Sequence, residues 1–437
     1  MCRACGGDRL ELFLSLGAQP LANSFLSGPA EFASEQFYAL DVYFCRSCTL
    51  VQLLDVVDPE VLFRNYLYVT GTSETMASHN AGYAATVAGL LQLGPKDLVV
   101  EAASNDGSLL AQFKKLGVRT LGVEPARNLA EAARASGVET LDRFFDESEA
   151  VGVRESHGPA KAVIANNVLA HVDDTVGFLR GAAGLLAEDG LAVFEVPYLV
   201  ELLNRLEYDT IYHEHLCYFS VMALGRLCKE AGLGIRRIDR VPVHGGSLRV
   251  YAGRNSLEHC PEALEMMAQE RGAGLDSVQT YELFAEKVEQ HRRKLRTFLC
   301  DRRSAGRTLA AYGAPAKGNT LLNYCGIDAS IVPFTVDRNP LKVGLFTPGM
   351  HLPVRPVSAL LEDQPDEVLI LAWNFASEIM RQQEVYRARG GGFLTPLPEP
   401  QVHGPLPPHP TQAAAAGEPD NLAEPGAAPG AVPGAER

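Results

Sequence analysis

Short apolar segments alternate with helical patterns twice along the 437 residues of this chain, and this alternation is the strongest constraint on its fold. Between about residues 73 and 240 the apolar segments read DLVVEA, RTLGVEP, KAVIANN and GLAVFEVP. After about residue 300 a second series reads RTLAAYGAPAKGNTLLNYC, SIVPFTVDRNP and DEVLILAWN. Such alternation is typical of βαβ units and a mostly parallel sheet. We therefore predict the α/β class, with one parallel-sheet domain in each series.

The segments outside the two series set the predicted domain boundaries. Residues 277–300 carry apolar side chains at helical spacing, which indicates an amphipathic connecting helix. Beyond Leu397 the chain is rich in proline, alanine and glycine, and such a tract buries too little apolar surface to become ordered. The predicted units are an N-terminal module (1–66), a central domain (67–256), a connecting helix with a C-terminal domain (257–397) and a disordered tail (398–437).

Four of the nine cysteines form two C-x-x-C pairs near the N-terminus, CRAC and CRSC. The pairs are Cys2 with Cys5 and Cys45 with Cys48, and 39 residues separate them. Two such pairs can place four thiolates tetrahedrally around Zn²⁺. Because four protein ligands leave no open position for water, we predict a structural zinc site in a zinc-ribbon-like module. The other cysteines show no such pairing, and we expect them to be buried thiols.

The composition excludes several classes of partner. A net charge of −14 argues against a broad nucleic-acid surface, which needs clustered Lys and Arg. The sequence has no run of 18 apolar residues that could cross a membrane, and its first residues lack the apolar core of a signal peptide. Scattered cysteines in odd number are typical of a reducing compartment. We expect a cytoplasmic protein with a small-molecule substrate, no nucleic-acid or membrane partner, and a monomeric or weakly dimeric state.

The segment LVVEAASNDGSLLAQF predicts a strand, a turn and a helix that together suit a cofactor. Glu124 follows 18 residues after Asp106 at the tip of the next strand, where a carboxylate can accept hydrogen bonds from both ribose hydroxyls of an adenosine. The turn has one glycine, so it serves a pyrophosphate poorly, and its carboxylates suit a cation. S-adenosylmethionine, a sulfonium with a ribose and no phosphate, fits both observations. The predicted cofactor-binding residues are Glu101, Ser104, Asn105, Asp106, Gly107, Glu124, Pro125, Asn166 and Asn167.

A dense group of protic side chains lies in the segment DTIYHEHLCYFS, which places Tyr212, His213, Glu214 and His215 side by side. The two histidines are two residues apart with no helical pattern around them, so an H-E-x-x-H zinc site is excluded. A polar core strand and an acid–base cluster both remain compatible with these residues alone.

The whole pattern resembles the S-adenosylmethionine-dependent sugar-nucleotide C-methyltransferases of deoxysugar biosynthesis, and most closely the C3-methyltransferases of dTDP-4-keto-2,6-dideoxyhexoses. The resemblance covers roughly residues 1–397 and rests on motifs that occur in order. They are the two C-x-x-C pairs, GAQPLANSFL, YLYVTGTSETM, EAASNDGSLL, GVEPARN, NNVLAHV, YDTIYHEH, HGGSLRVY and GAPAKGNTLLN with VDRNPLKVGLFTPGMHLPV. The resemblance implies a zinc-binding module, a Rossmann-like class I methyltransferase core and a second α/β domain that helps to enclose a dTDP-sugar.

The resemblance also implies roles for individual residues. His215 is expected to be the base, Tyr212 to share that role or to stabilise an enolate, Glu214 to be their neighbour and His171 to line the pocket. Apart from the resemblance, we expect His213 to lie on the opposite face from His215 if the segment is extended, and therefore to be structural. The expected substrate contacts are Tyr68, Thr72, His244 and Lys317, and the glycines after His244 are expected to allow close backbone approach near the substrate.

The expected reaction begins at a carbon beside a ketone, because such a carbon becomes a nucleophile only after it loses a proton. We expect methylation at C3 of a dTDP-4-keto-2,6-dideoxyhexose, with C5 of a dTDP-4-keto-6-deoxyhexose as the alternative. An O- or N-methyltransferase would have little use for the protic cluster. A noncatalytic scaffold that docks through its zinc ribbon, and an NAD-binding second domain, are less favoured because basic stripes and a G-x-G-x-x-G motif are both lacking.

Overall fold

A computed structural model of the chain describes residues 1–64, 74–243 and 245–404, with side chains from Met76 onward in the second range. The predicted substrate contacts Tyr68, Thr72 and His244, and the predicted tail from residue 405, lie outside the described residues. No helix in the described ranges is both long and apolar enough to cross a membrane.

The described strands and helices alternate as the sequence predicts. The strands are β1 (Leu10–Pro20), β2 (Phe37–Cys45), β3 (Val51–Leu53), β4 (Leu98–Ala102), β5 (Arg119–Val123), β6 (Thr140–Leu141), β7 (Ala160–Asn166), β8 (Leu186–Pro197), β9 (Cys217–Tyr218), β10 (Gly234–Val241), β11 (Ser247–Gly253), β12 (Leu309–Tyr312), β13 (Thr335–Asp337), β14 (Val354–Pro356), β15 (Glu367–Ile370), β16 (Gly392–Thr395) and β17 (Gln401–His403). The helices are α1 (Pro59–Phe63), α2 (Glu74–Leu91), α3 (Ser108–Lys115), α4 (Arg127–Ala135), α5 (Glu147–His157), α6 (Thr175–Leu185), α7 (Leu199–Asn204), α8 (Val221–Glu230), α9 (Pro261–Gly272), α10 (Val278–Ser304), α11 (Ala316–Cys325), α12 (Ala359–Asp363), α13 (Ala376–Gln382) and α14 (Glu384–Ala388).

The central domain is built on a seven-stranded sheet in the order β10-β11-β8-β7-β4-β5-β6. Its strands from β8 to β6 are parallel, and β11 runs antiparallel to β8. All five residues of β4 are buried, because helices cover both faces of a parallel sheet. The carboxyl ends of β4, β5, β7 and β8 therefore meet at one edge of the sheet, which is where ligands collect in open α/β folds.

The C-terminal domain repeats this plan with six strands in the order β14-β13-β12-β15-β16-β17. Strands β14 to β16 are parallel, and β17 pairs antiparallel with β16 at the edge. The predicted start of the disordered tail at residue 398 is therefore wrong. Residues 401–403 are ordered because their backbone pairs with β16, whose residues are all buried.

The N-terminal module (residues 1–64) carries a small antiparallel sheet in the order β1-β2-β3-β9. The last of these strands, Cys217–Tyr218, comes from the central domain, directly after the YHEH sequence. The module also contacts the C-terminal domain, where Asn319 Nδ2 donates to the carbonyl of Ala22 at 2.7 Å. Its sheet therefore joins the other two domains.

The predicted connecting helix is confirmed as α10, which buries Val278, Phe284, Val288, Leu295 and Leu299. At its middle, His291 Nε2 donates to the carbonyl of Pro396 at 2.8 Å, and Nδ1 accepts the hydroxyl of Tyr208 at 3.0 Å. One imidazole thus joins the end of the C-terminal domain to the segment that leads into the YHEH sequence.

Candidate active site

A cavity of ≈ 730 Å³ lies where the three domains meet. The central domain contributes most of its wall, from the carboxyl ends of its parallel strands. The N-terminal module adds Asn23 and Phe63, and the C-terminal domain adds Gly313, Lys317 and Asp337 among others.

The turn after β4 shapes the first side of the cavity. Asn105 has a left-handed backbone (φ 52°), and Gly107 (φ 74°) precedes α3. A Cβ atom on Gly107 would lie 3.1 Å from Cβ of Val138, so glycine allows the turn to pack on its neighbour. Asp106 Oδ1 accepts the backbone N–H of Ser108 at 3.2 Å. Asp106 and Gly107, both predicted to bind cofactor, do not line the cavity and instead shape the turn.

Glu124 ends the neighbouring strand β5 and lines the same side of the cavity. Its carboxylate accepts backbone N–H groups from Asn105 at 2.7 Å and Ala126 at 2.8 Å. Burial raises the pKa of Glu124 to about 7, although these two hydrogen bonds oppose the shift. The carboxylate is thus held in one orientation, with lone pairs left over for a ligand.

Several buried polar atoms in this wall have no hydrogen-bond partner among the described residues. They are Glu101 Oε2, Ser104 Oγ and Asn166 Oδ1. Burial, together with the charges of Asp106 and Glu124, raises the pKa of Glu101 well above its usual range. Because a buried carboxyl without a cation is costly, this wall fits a ligand that brings positive charge and hydrogen-bond donors, as S-adenosylmethionine does.

Tyr212 and His215 form a hydrogen-bonded pair on another part of the wall. His215 Nδ1 donates to the carbonyl of Thr210 at 2.7 Å, which leaves Nε2 as the acceptor of the Tyr212 hydroxyl at 2.8 Å. All three residues line the cavity. The pair therefore has the tautomer that a histidine base requires, with the lone pair on the atom that meets a phenol O–H.

A tight turn brings the pair together, since the His215 amide donates to the Tyr212 carbonyl at 2.8 Å. In an extended strand, residues two apart share a face, so an extended segment would have placed His213 and His215 on the same side, and the reason given for the expectation was wrong. The turn separates them: His213 is 1% exposed, and its Nε2 lies 3.2 Å from the carbonyl of Ala39. Glu214 is also buried and does not line the cavity; its Oε1 accepts Asn23 Nδ2 at 2.6 Å.

His171 lies beside the pair, with its ring centroid 5.0 Å from that of His215 and stacked on Phe63 at 5.5 Å. Burial, and secondarily His215, lowers the pKa of His171 well below its usual value. Its buried Nε2 has no hydrogen-bond partner in the described part of the chain. A neutral imidazole at this position offers a hydrogen bond to a ligand without adding charge.

The C-terminal domain repeats the Glu124 arrangement on the opposite wall. Asp337 ends β13, and its carboxylate accepts backbone N–H groups from Ala314 at 2.6 Å and Asn339 at 2.7 Å. In both domains the acid bonds to the turn after the first strand and to the residue two positions after itself. Asp337 was missed, although FTVDRNP carries an acid at a strand tip as GVEPARN does.

Lys317, predicted to contact substrate, lines the cavity at the start of α11, but its charge is already offset. Burial lowers its pKa, and the carboxylates of Asp209 and Glu207 oppose that shift. The glycine run predicted to approach the substrate packs instead on acids, because a Cβ on Gly245 would lie 2.5 Å from Glu207 Oε1.

A second polar network in the wall also escaped the sequence reasoning. Glu195, at the end of β8, bonds to Arg249 Nε at 2.5 Å and to His79 Nε2 at 2.8 Å. Both His79 and Glu195 line the cavity. His79 lies on a helix, and no motif in the sequence distinguishes it from an ordinary helical residue.

The predicted residues thus divide into three groups. Those that line the cavity are Glu101, Ser104, Asn105, Glu124, Pro125, Asn166, Asn167, His171, Tyr212, His215 and Lys317. Those that lie behind it are Asp106, Gly107 and Glu214. The third group, Tyr68, Thr72 and His244, falls outside the described residues.

The four N-terminal cysteines form the metal-ligand cluster that their spacing predicts. Their sulfur atoms all lie within 4.8 Å of one another, with Cys2 and Cys48 at 3.4 Å and Cys5 and Cys45 at 3.7 Å. Sulfurs bound tetrahedrally to zinc at ~2.3 Å are ~3.8 Å apart, so the site fits Zn²⁺ closely. The cavity wall contains no cysteine among the described residues.

Comparison with known proteins gives the family. Residues 2–63 match the family described as "Putative zinc binding domain", residues 77–238 match "Methyltransferase domain", and residues 242–398 match "C-methyltransferase C-terminal domain". Over 403 residues the chain is 38% identical to C-methyltransferase NovU of Streptomyces niveus, covering 92% of this chain and 96% of that protein. The chain belongs to this C-methyltransferase family. As a member it has S-adenosylmethionine as its cofactor and a structural zinc site.

The solved structures that are similar to part of this chain include two methyltransferases. An S-adenosylmethionine-dependent methyltransferase from Clostridium acetobutylicum has a TM-score of 0.33 and 11% identity, covering 41% of this chain and 92% of that one. Magnesium protoporphyrin IX methyltransferase from Synechocystis has a TM-score of 0.32 and 14% identity, covering 43% of this chain and 88% of that one.

Proposed function

We propose that this C-methyltransferase methylates C3 of a dTDP-4-keto-2,6-dideoxyhexose, with His215 as the base that forms the enolate. The observation that carries the proposal is the Tyr212–His215 pair, which lines the same cavity as the partnerless polar atoms of Glu101 and Ser104. A base and a cofactor wall in one cavity are what a carbon acid requires before it can be methylated.

The residues of the pair can perform the first step once the Tyr212 hydroxyl turns away from His215 Nε2, which it contacts at 2.8 Å. His215 Nε2 then takes the C3 proton, the electrons of the broken C–H bond form the C3–C4 double bond, and the carbonyl π electrons move onto the C4 oxygen to give the enolate. The Thr210 carbonyl holds Nδ1–H at 2.7 Å and so stabilises the imidazolium that forms. The Tyr212 hydroxyl, released from Nε2, is placed to donate to the enolate oxygen.

S-adenosylmethionine supplies the electrophilic methyl group and leaves as S-adenosylhomocysteine. On this chain's side, we assign its ribose to Glu124 and Asn105, and its charged methionine part to Glu101 and Asn166. Glu101, Ser104 and Glu124 of this wall are buried, so they exclude water from their side of the space in which the methyl group moves.

We assign the nucleotide of the substrate to the C-terminal wall, where the N-terminus of α11 supplies positive potential beside the already offset charge of Lys317. The support is the repeated arrangement at Asp337, which presents to the cavity a second carboxylate held by two backbone N–H groups. Asp337 can accept a sugar hydroxyl of the nucleoside as Glu124 does for the cofactor. None of the nine cysteines forms a disulfide, and this supports our assignment of the reaction to the cytoplasm.

The test is incubation of the enzyme with S-adenosylhomocysteine and a panel of dTDP-4-keto sugars in deuterated water. The C4 ketone makes both C3 and C5 acidic, so the position of deuterium names the carbon. We expect wash-in at C3, and methylation at C3 when S-adenosylmethionine replaces the product. Incorporation of deuterium at C5 alone would assign the reaction to C5. Methylation at oxygen or nitrogen without any deuterium incorporation would contradict the proposed role of His215 as a base.

A further inference from the structure

We propose that Trp373 and Lys317 of the C-terminal domain are positioning residues for His215, and that they act through Asp209 of the central domain. The inference rests on the proposed role of His215 as the base, and it adds a function for the contact between the two domains. In this proposal the contact between the domains orients His215 as well as stabilising the fold.

Asp209 is fully buried, and the two side chains that most favour its ionised form, Lys317 and Trp373, come from the other domain. Its Oδ2 accepts the indole N–H of Trp373 at 2.6 Å, while Oδ1 has no hydrogen-bond partner among the described residues. Burial raises the pKa of Asp209 to about 6, while Lys317 and then Trp373 oppose the rise. The C-terminal domain therefore provides the groups that keep this carboxylate ionised.

Trp373 and Lys317 also contact each other, since Lys317 Nζ lies 4.4 Å from the centre of the Trp373 ring. A cation over an indole face is attracted by it, and the attraction grows when water is excluded. Trp373 thus contacts both Asp209 and Lys317, and the three residues form one cluster. Displacing Trp373 would disturb both contacts.

The cluster connects to the base through the backbone. Asp209 is followed by Thr210, and both belong to one short 3-10 turn, Tyr208–Thr210. The Thr210 carbonyl accepts His215 Nδ1–H at 2.7 Å and so sets the orientation and tautomer of the imidazole. The other end of the turn is held by the Tyr208 hydroxyl on His291. A shift of Asp209 would therefore move the Thr210 carbonyl and turn the ring of His215.

This arrangement couples the two sides of the cavity. Ala372, next to Trp373, lines the cavity, as does Lys317, and both belong to the wall that we assign to the nucleotide. A small displacement of a catalytic group costs about 100-fold in rate per ångström. The position of the C-terminal domain thus determines the orientation of the His215 imidazole relative to the substrate.

Trp373 is the single tryptophan of the chain, so tryptophan can be replaced at this position alone. The replacement is benzothienylalanine, which has the same ring shape but a sulfur in place of the indole N–H, and so cannot donate to Asp209. We expect kcat for methylation and the rate of deuterium wash-in to fall 10-fold or more, with the dissociation constant of S-adenosylhomocysteine changed less than twofold. A purely structural role for Trp373 predicts no such split, because the packing is retained. Unchanged kcat would overturn the proposal.

Two further measurements keep the proposal independent of the substrate. The ¹⁵N resonances of His215 should show a smaller fraction of the Nδ1–H tautomer in Trp373→Phe, and an unchanged spectrum would refute the positioning role even if no sugar is turned over. Trp373→Phe and Asp209→Ala should be strongly non-additive in kcat, because both remove the same hydrogen bond. Multiplicative effects would contradict the proposal. Val385→Ala, on the exposed side of the same domain, is the matched control.

Discussion

The His215→Asn variant tests the assignment of the base, because the roles of the two imidazole nitrogens can be tested separately. An asparagine amide N–H can occupy the position of Nδ1 and keep the hydrogen bond to the Thr210 carbonyl. It removes only Nε2, which accepts the Tyr212 hydroxyl at 2.8 Å. His215→Gln does the reverse, because its longer side chain reaches the position of Nε2 with an atom that has no useful basicity.

The expected effect follows from the number of interactions lost. Loss of a general base reduces a rate by about 10²–10⁴-fold, which is about 3–5 kcal/mol of transition-state stabilisation. Loss of one half-buried hydrogen bond costs only about 1 kcal/mol of folding free energy. Both variants should therefore remain folded while kcat falls by at least 100-fold.

Three measurements on the same preparations check this expectation. Turnover and deuterium wash-in should fall together in both variants, since both steps need the proton removed. Calorimetric binding of S-adenosylhomocysteine should stay within twofold of wild type, because Glu124 and Asn105 belong to other strands and turns. Wash-in at the wild-type rate in His215→Asn would refute the base assignment, and a parallel loss of cofactor binding would show that the variant had disturbed the whole cavity.

Further predictions concern the cofactor wall and the zinc module. Glu124→Gln removes one of two acceptors for backbone N–H groups and should weaken S-adenosylhomocysteine binding at least 10-fold by calorimetry, whereas exposed Glu131→Gln should not. Because the pKa of Glu124 is about 7, its carboxylate is increasingly protonated as the pH falls from 8 to 6, so cofactor affinity should fall with it. That pH dependence should be lost in Glu124→Gln; an equal slope in the variant would assign the titration elsewhere. Cys45→Ser should release zinc, measured by metal analysis, and lower the melting temperature, whereas Cys300→Ser should do neither, since structural zinc contributes about 10–16 kcal/mol. Rapid recovery of full activity without added zinc after chelation would argue against a structural metal.

The residues that line the cavity beside β4 and β5 could be found from the sequence because their signals are local. A strand, a tight turn and a helix occupy LVVEAASNDGSLLAQF, and Glu124 follows at the next strand tip, so parallel pairing of β4 and β5 was enough to bring them together. The same reasoning would have found Asp337 from FTVDRNP. It failed for Asp106, whose short side chain bonds to the backbone of its own turn rather than facing the cavity.

The geometry of the YHEH segment was harder to predict, because it depends on a turn that the residue types do not specify. Tyr212 and His215 meet because their backbones close a turn, and that turn is held by Thr210 and by the pairing of β9 with β3. His79 could not be predicted from the sequence, for a different reason. Its partner Glu195 is 116 residues away, and no local pattern reports a pairing between a helix and a distant strand end.

The sequence by itself determined the α/β class, the zinc ligands, the cofactor turn and the protic segment, since each depends on spacing within a few residues or on the period of a strand or helix. The tertiary structure alone decided which of these groups share a cavity. It turned His213 and Glu214 away, offset the charge of Lys317 with Asp209, and placed Trp373 against the turn that holds the base. These contacts join residues more than 100 positions apart, and their energies come from burial and domain docking, which no short stretch of sequence contains.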